Sequence, residues 1–162
     1  MSVVTQQSNL AIRCILFLVE HGGRLATKTE MAKAVDARVP SVAKILQFLV
    51  HAKVLVSVRG RHGGFSLARE PSAISLLDVL LASQDSFAFQ PCVLSLKACP
   101  QQNTCPTRQI WTSIYEDTIK ELTQVTFDKL SRDHQCRQLA TLRPLEWQES
   151  QAVNRDAIAI SA

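Results

Sequence analysis

The chain has no uninterrupted apolar run of about 18 residues, the length needed to span a bilayer, so no membrane span is expected. It is apolar from Leu10 to Val19, but Arg13 interrupts that stretch. No basic segment precedes it and no small-residue cleavage site follows it, so it reads as a core helix rather than a secretion signal. A cytoplasmic protein is therefore expected. Enzyme signatures are also missing: there are no paired carboxylates, no phosphate-binding loop and no nucleophile–base motif. The four histidines (21, 51, 62 and 134) are scattered without metal-ligand spacing. Internal repeats and low-complexity tracts are absent, and aromatic content is only 6%. What remains is 162 residues, 46% of them hydrophobic, enough for one ordinary domain or a small domain with an appendage.

The charge is unevenly placed. Residues 1–70 hold ten Lys and Arg against four acids, net +6, and the remainder holds eight against ten, net −2. A basic half suits a polyanionic partner, although a solvated basic surface gives the same count. The five cysteines are an odd number, and a reducing cytosol disfavours a disulfide framework. Metal binding or redox chemistry is the more natural use for a cluster of them.

The first half reads as short helices followed by a hairpin. A helix is predicted from about Ser8, as its cap, to His21, with Gly22 and Gly23 ending it. Thr27-Lys28-Thr29-Glu30 has capping-box spacing and predicts a helix over about 29–35. Asp36-Ala37-Arg38 is a tight connection, and Pro40 opens a helix to about Ala52 with Val42, Ile45, Leu46 and Leu49 inward. Ser41, Lys44 and Gln47 lie three apart on its other side. This pair of helices reads as a helix-turn-helix. The β-rich run 54–58, the basic turn Arg59-Gly60-Arg61-His62-Gly63-Gly64 and Phe65-Ser66-Leu67 then form a hairpin. A hairpin directly after a helix-turn-helix is the wing of a winged helix.

The expected fold is mainly α with a small β-hairpin wing, a winged helix-turn-helix plus a long dimerisation helix. The boundaries are 1–83 for the DNA-binding domain, including a short helix at 74–83, and 84–106 for a cysteine loop. Residues 107–132 form the dimerisation helix and a short terminal helix, and 133–162 a flexible tail. The long helix carries an apolar stripe from Ile110 to Val125 and measures about 27 Å over about 18 residues. That is more than so small a head needs, and a second subunit would cover it, as in dimeric helix-turn-helix proteins.

Duplex recognition needs cations for phosphates and hydrogen-bonding groups for base edges. Thr29, Ser41, Lys44, Gln47, Arg59 and Arg61 are the expected DNA contacts. Lys44 can donate to guanine, Ser41 can reach a base or phosphate, and the wing-tip arginines can enter a minor groove. A winged helix can also serve protein contacts. The basic half and the two wing-tip arginines favour a double-stranded operator.

Cys92, Cys99 and Cys105 give C-x6-C-x5-C in a loop with three prolines. Soft thiolates suit iron–sulfur clusters or zinc. Structural zinc sites show tighter pairs and four protein ligands, and no fourth cysteine lies in this loop. Three unrelated cysteines in an inert loop are the remaining alternative. Cys14 reads as a buried helix residue and Cys136 as a bystander.

The stretch Asn9-Leu10-Ala11-Ile12-Arg13, the wing SVRGRHGGF, the SLLDVL helix and the three cysteines together resemble the winged-helix iron–sulfur transcriptional regulators of the IscR, NsrR and RirA type. The resemblance covers about residues 1–132. It implies that Cys92, Cys99 and Cys105 ligate an iron–sulfur cluster whose state sets DNA affinity. Arg108 stands where IscR-like members place a histidine, and Asn9 where NsrR-like members can use an aspartate. Asn9, RGRHGG and DSFA look most like the rhizobial RirA branch. That branch implies a labile [4Fe–4S] cluster in preference to [2Fe–2S], in a repressor of iron-uptake or iron–sulfur genes. A nitric oxide or redox sensor of the same fold is one alternative. A cluster-free cysteine switch using Cys92 or Cys99 is another.

Overall fold

A computed structural model of the chain describes residues 5–83 and 105–133. Cys92, Cys99, Cys136, nearly all of the cysteine loop and the expected tail beyond residue 133 lie outside the described residues.

Helix α1 spans Gln6–Glu20, α2 Lys28–Ala34 and α3 Val39–His51. Strands β1 (Leu55–Val58) and β2 (Gly64–Leu67) follow, then a 3-10 turn at Pro71–Ala73. Helix α4 is Leu76–Ala82, α5 Pro106–Gln124 and α6 Phe127–Arg132. This is the expected mainly α fold with a small hairpin, and the two strands pair antiparallel with Leu55 opposite Leu67 and Val58 opposite Gly64.

Local chemistry sets most boundaries. The Thr27 hydroxyl accepts from the Glu30 backbone N–H at 3.2 Å, and the Glu30 carboxylate accepts from the Thr27 N–H at 2.7 Å. The Thr27 N–H, and then its hydroxyl, hold Glu30 below the usual carboxylate range. A second capping box, unread in the sequence, joins Ser75 and Asp78 at the start of α4. The turn between α2 and α3 places Asp36 at φ 48°, a left-handed conformation that aspartate tolerates better than most residues.

The cap of α1 differs from expectation. Thr5 occupies it and accepts from the Ser8 N–H at 3.3 Å. Ser8 lies one turn inside the helix, fully buried, with its hydroxyl 2.6 Å from that of Ser83. Ser83 donates its only hydroxyl proton to the Leu80 carbonyl at 2.8 Å, so Ser8 is the donor to Ser83. A burial that would be costly for an unpaired hydroxyl is satisfied by a partner 75 residues away.

The core gathers one face of each helix: Ala11, Cys14, Ile15 and Leu18 from α1, Met31 from α2, and Val42, Ile45, Leu46 and Leu49 from α3. Arg13 is also buried on α1, and burial lowers its pKa. Two non-local features were invisible in the sequence. Ala26 pairs with Phe65 by two backbone hydrogen bonds, 3.0 and 2.8 Å, making a one-residue third strand against β2. A Cβ on Gly64 would come within 2.7 Å of the Ala26 carbonyl oxygen, so this pairing requires glycine there. The second feature is α6. Residues 107–132 are expected from the sequence to lie apart from the head, whereas Phe127 is fully buried in the head's core. A bridge between Ser75 and Thr126 fastens that junction.

Candidate nucleic-acid interface and cysteine site

Helix α3 separates its residues by function. Val42, Ile45, Leu46 and Leu49 are buried, which turns Ser41, Lys44 and Gln47 to solvent. Thr29 on α2 is exposed beside Lys28, and Arg59 and Arg61 are exposed at the wing tip. Gly60, between the two arginines, has φ 122°, a conformation that suits glycine and turns the backbone at the tip. The structure therefore leaves all six expected contact residues accessible on consecutive elements of a winged helix. Among the described residues the ion pairs are Arg69–Asp78 and Arg132–Asp128. Lys44, Arg59 and Arg61 are thus not neutralised by a carboxylate in that set. Arg38, the exposed N-cap residue of α3, and Lys28 add positive charge that the sequence reading did not single out.

One contact on α3 went unread. The Lys44 ammonium lies over the Phe48 ring, 5.6 Å from its centroid. The i, i+4 spacing is the signal that could have found it.

Helix α5 has a different surface. None of its described side chains is fully buried, and Ile110 and Ile114 are 66% and 51% exposed. Trp111, Tyr115, Ile119 and Leu122 are half-buried. Aliphatic exposure on this scale along a 19-residue helix leaves apolar area for another surface to cover.

The cysteines divide by environment. Cys14 is sealed in the core. Burial pushes its thiol up to about 12, only partly opposed by the neighbouring Arg13 charge. It stays protonated at neutral pH, and a protonated thiol is a poor metal ligand. Cys105 is half-buried and immediately precedes the first turn of α5. The positive end of the helix dipole lies there and favours an anionic ligand such as a thiolate. Among the described residues no three His, Cys, Asp or Glu side chains converge as a metal site. Of the three loop cysteines only Cys105 is described, and its soft donor chemistry and partial exposure fit a shared metal centre.

The helix-turn-helix, the wing and the basic recognition face define a winged-helix DNA-binding protein. The Rrf2 family model, described as "Iron-dependent Transcriptional regulator", matches residues 4–133, and the chain belongs to that family. It is a transcriptional regulator and not an enzyme. It is 36% identical over 103 residues to Protein aau3 of Rhizobium meliloti, covering 63% of this chain and 67% of that protein. Its fold is similar to CymR, the global cysteine regulator of B. subtilis, with a TM-score of 0.65 and 17% identity over 82% of this chain and 98% of that one. It is similar also to T. potens IscR, with a TM-score of 0.63 and 20% identity over 80% and 86%. No helix among the described residues is long and apolar enough to cross a membrane.

Proposed function

We propose that the protein is a cytoplasmic homodimeric repressor of iron-uptake or iron–sulfur genes. Its hold on a double-stranded operator is set by a labile iron–sulfur cluster on Cys92, Cys99 and Cys105. The observation that carries this reading is membership of a family of iron-dependent transcriptional regulators by a chain with three clustered thiols. The cluster, when bound, supplies an iron centre that can be lost when iron is scarce or when oxygen or nitric oxide attacks it. The RirA likeness, and with it [4Fe–4S] over [2Fe–2S], rests on Asn9, the wing and DSFA alone.

In this reading α3 enters the major groove with Ser41 and Lys44 toward base edges and Gln47 one turn deeper. Arg59 and Arg61 reach backbone or minor groove, and Thr29 contacts phosphate. Arg59→Ala or Arg61→Ala should weaken binding and lower the slope of log affinity against log salt by about one per lost phosphate contact. Unchanged affinity and slope in both variants would remove the wing from the interface.

A second subunit is the occupant proposed for the exposed α5 face. Ile114→Glu combined with Leu122→Glu should give monomers by sedimentation, with weakened operator binding. A wild-type protein that sediments as a monomer at micromolar concentration would count against the dimer.

The cluster-free cysteine switch is kept as a second reading because the fold is also similar to a cysteine regulator. Anaerobic purification followed by iron and acid-labile sulfide analysis, absorption and Mössbauer spectra decides between them. Iron and sulfide bound in stoichiometric amounts support the cluster. Their absence, with a thiol titration that tracks DNA affinity, supports the switch.

A further inference from the structure

We propose that Phe48 is a positioning residue of the DNA interface. Its ring stations the Lys44 ammonium on the outward side of α3 and so raises discrimination between a preferred duplex and unrelated DNA. The proposal rests on reading α3 as the recognition helix. Lys44 is exposed, while Phe48 is half-buried and packed against the hydrophobic core. The core therefore fixes the ring, and the ring in turn offers its electron-rich face to the ammonium at 5.6 Å.

A free lysine has a flexible four-carbon stem and serves any phosphate within reach. Phosphate contacts carry no sequence information, whereas donation to guanine O6 or N7 does. Restricting the ammonium to the neighbourhood of one ring removes part of the ordering cost of a base contact. The same restriction contributes little to non-specific binding, which many arrangements satisfy. Phe48 has no hydrogen-bonding group in its side chain, so the competing direct route is apolar contact with a thymine methyl, which would persist without Lys44.

The test uses the full chain, purified anaerobically, and a duplex selected by the wild type from a randomised pool. Phe48→Leu should weaken binding to the selected duplex about two- to fivefold, the size of an exposed cation–π contact, and leave affinity for a random-sequence duplex unchanged. Phe48→Tyr, which keeps the ring, should restore selectivity. In the Lys44→Ala background Phe48→Leu should have no further effect. The Lys44 side-chain protons should lose their ring-current shift in Phe48→Leu and keep it in Phe48→Tyr. Equal weakening on both duplexes, additivity with Lys44→Ala, or selectivity lost in Phe48→Tyr while the ring-current shift persists would overturn the positioning role. If the wild type enriches no duplex, the recognition-helix reading fails and this proposal with it. Enrichment by the wild type with an indifferent Phe48→Leu overturns this proposal alone.

Discussion

Replacing any one of Cys92, Cys99 or Cys105 by Ala should abolish cluster assembly, whereas Cys14→Ala and Cys136→Ala should leave it intact. The expectation follows from what a ligand must be. Iron is held by thiolates, and a thiol pushed up to about 12 by burial remains protonated at neutral pH. Cys14, on α1, is fully buried within the hydrophobic core. Cys105 is partly open to solvent at the start of α5 and lies within the same short stretch of chain as the other two. Iron and sulfide content of the five variants is the measurement. A Cys105→Ala protein that retains the full iron complement would exclude this cysteine from the centre. Cluster loss should also alter operator affinity, although α2, α3 and the wing carry no cysteine in their sequence. Linkage makes the converse hold: bound operator should change the rate at which a chelator strips iron. On the RirA resemblance alone, and not on residue chemistry, the holo form should bind the more tightly. Equal affinity of holo and apo protein at one salt concentration would remove the switch and leave DNA binding standing.

The features readable in the sequence are those whose cause lies within a few residues. The 42, 45, 46, 49 spacing predicts both the buried face of α3 and the accessibility of Ser41, Lys44 and Gln47, because a periodic core defines its own complement. Thr27 and Glu30 predict a capping box for the same reason. Ser75 and Asp78 carry equivalent spacing, unread because a hydrophobic pattern already accounted for that helix. The features missed depend on distant partners. Ser8 is a plausible cap by type, yet its hydroxyl is committed to Ser83, and nothing near Ser8 announces that. Ala26 becomes a third strand only because Phe65 arrives beside it. Phe48 at i+4 from Lys44 was legible as a spacing, but the sequence cannot say that the core would hold the ring beneath the ammonium. The cysteine spacing is legible as a donor set, and its convergence depends on how the chain between α4 and α5 folds.

Phe127→Ala should be among the most destabilising single substitutions in the described residues, costing about 3–5 kcal/mol, the usual range for truncating a buried phenylalanine. Its side chain is fully buried and is the largest of the fully buried side chains of the core. The loss should exceed what local helix propensity could explain, since α6 has only six residues and is too short to persist alone. Its position depends instead on tertiary contacts, chiefly Phe127 with Leu130 packed against the core beside it, and on two backbone bonds at its start. Leu76 donates to the Val125 carbonyl at 2.8 Å and Phe127 to the Ile74 carbonyl at 3.0 Å, which fixes the end of α5 against the start of α4. No described side chain of α5 is fully buried, so this junction is its principal anchor at the C-terminal end, while Cys105 marks the other end about 28 Å away. Removing Phe127 should therefore loosen α5 relative to the winged head as well as lower the unfolding midpoint. Phe127→Leu, which keeps most of the apolar volume, should cost distinctly less than Phe127→Ala. Urea unfolding gives the stability term. Hydrogen exchange at the Leu76 and Phe127 amides reports the junction separately. An Ala variant that loses less than about 1 kcal/mol, with both amides still protected, would show that α6 is held by something other than its phenylalanine.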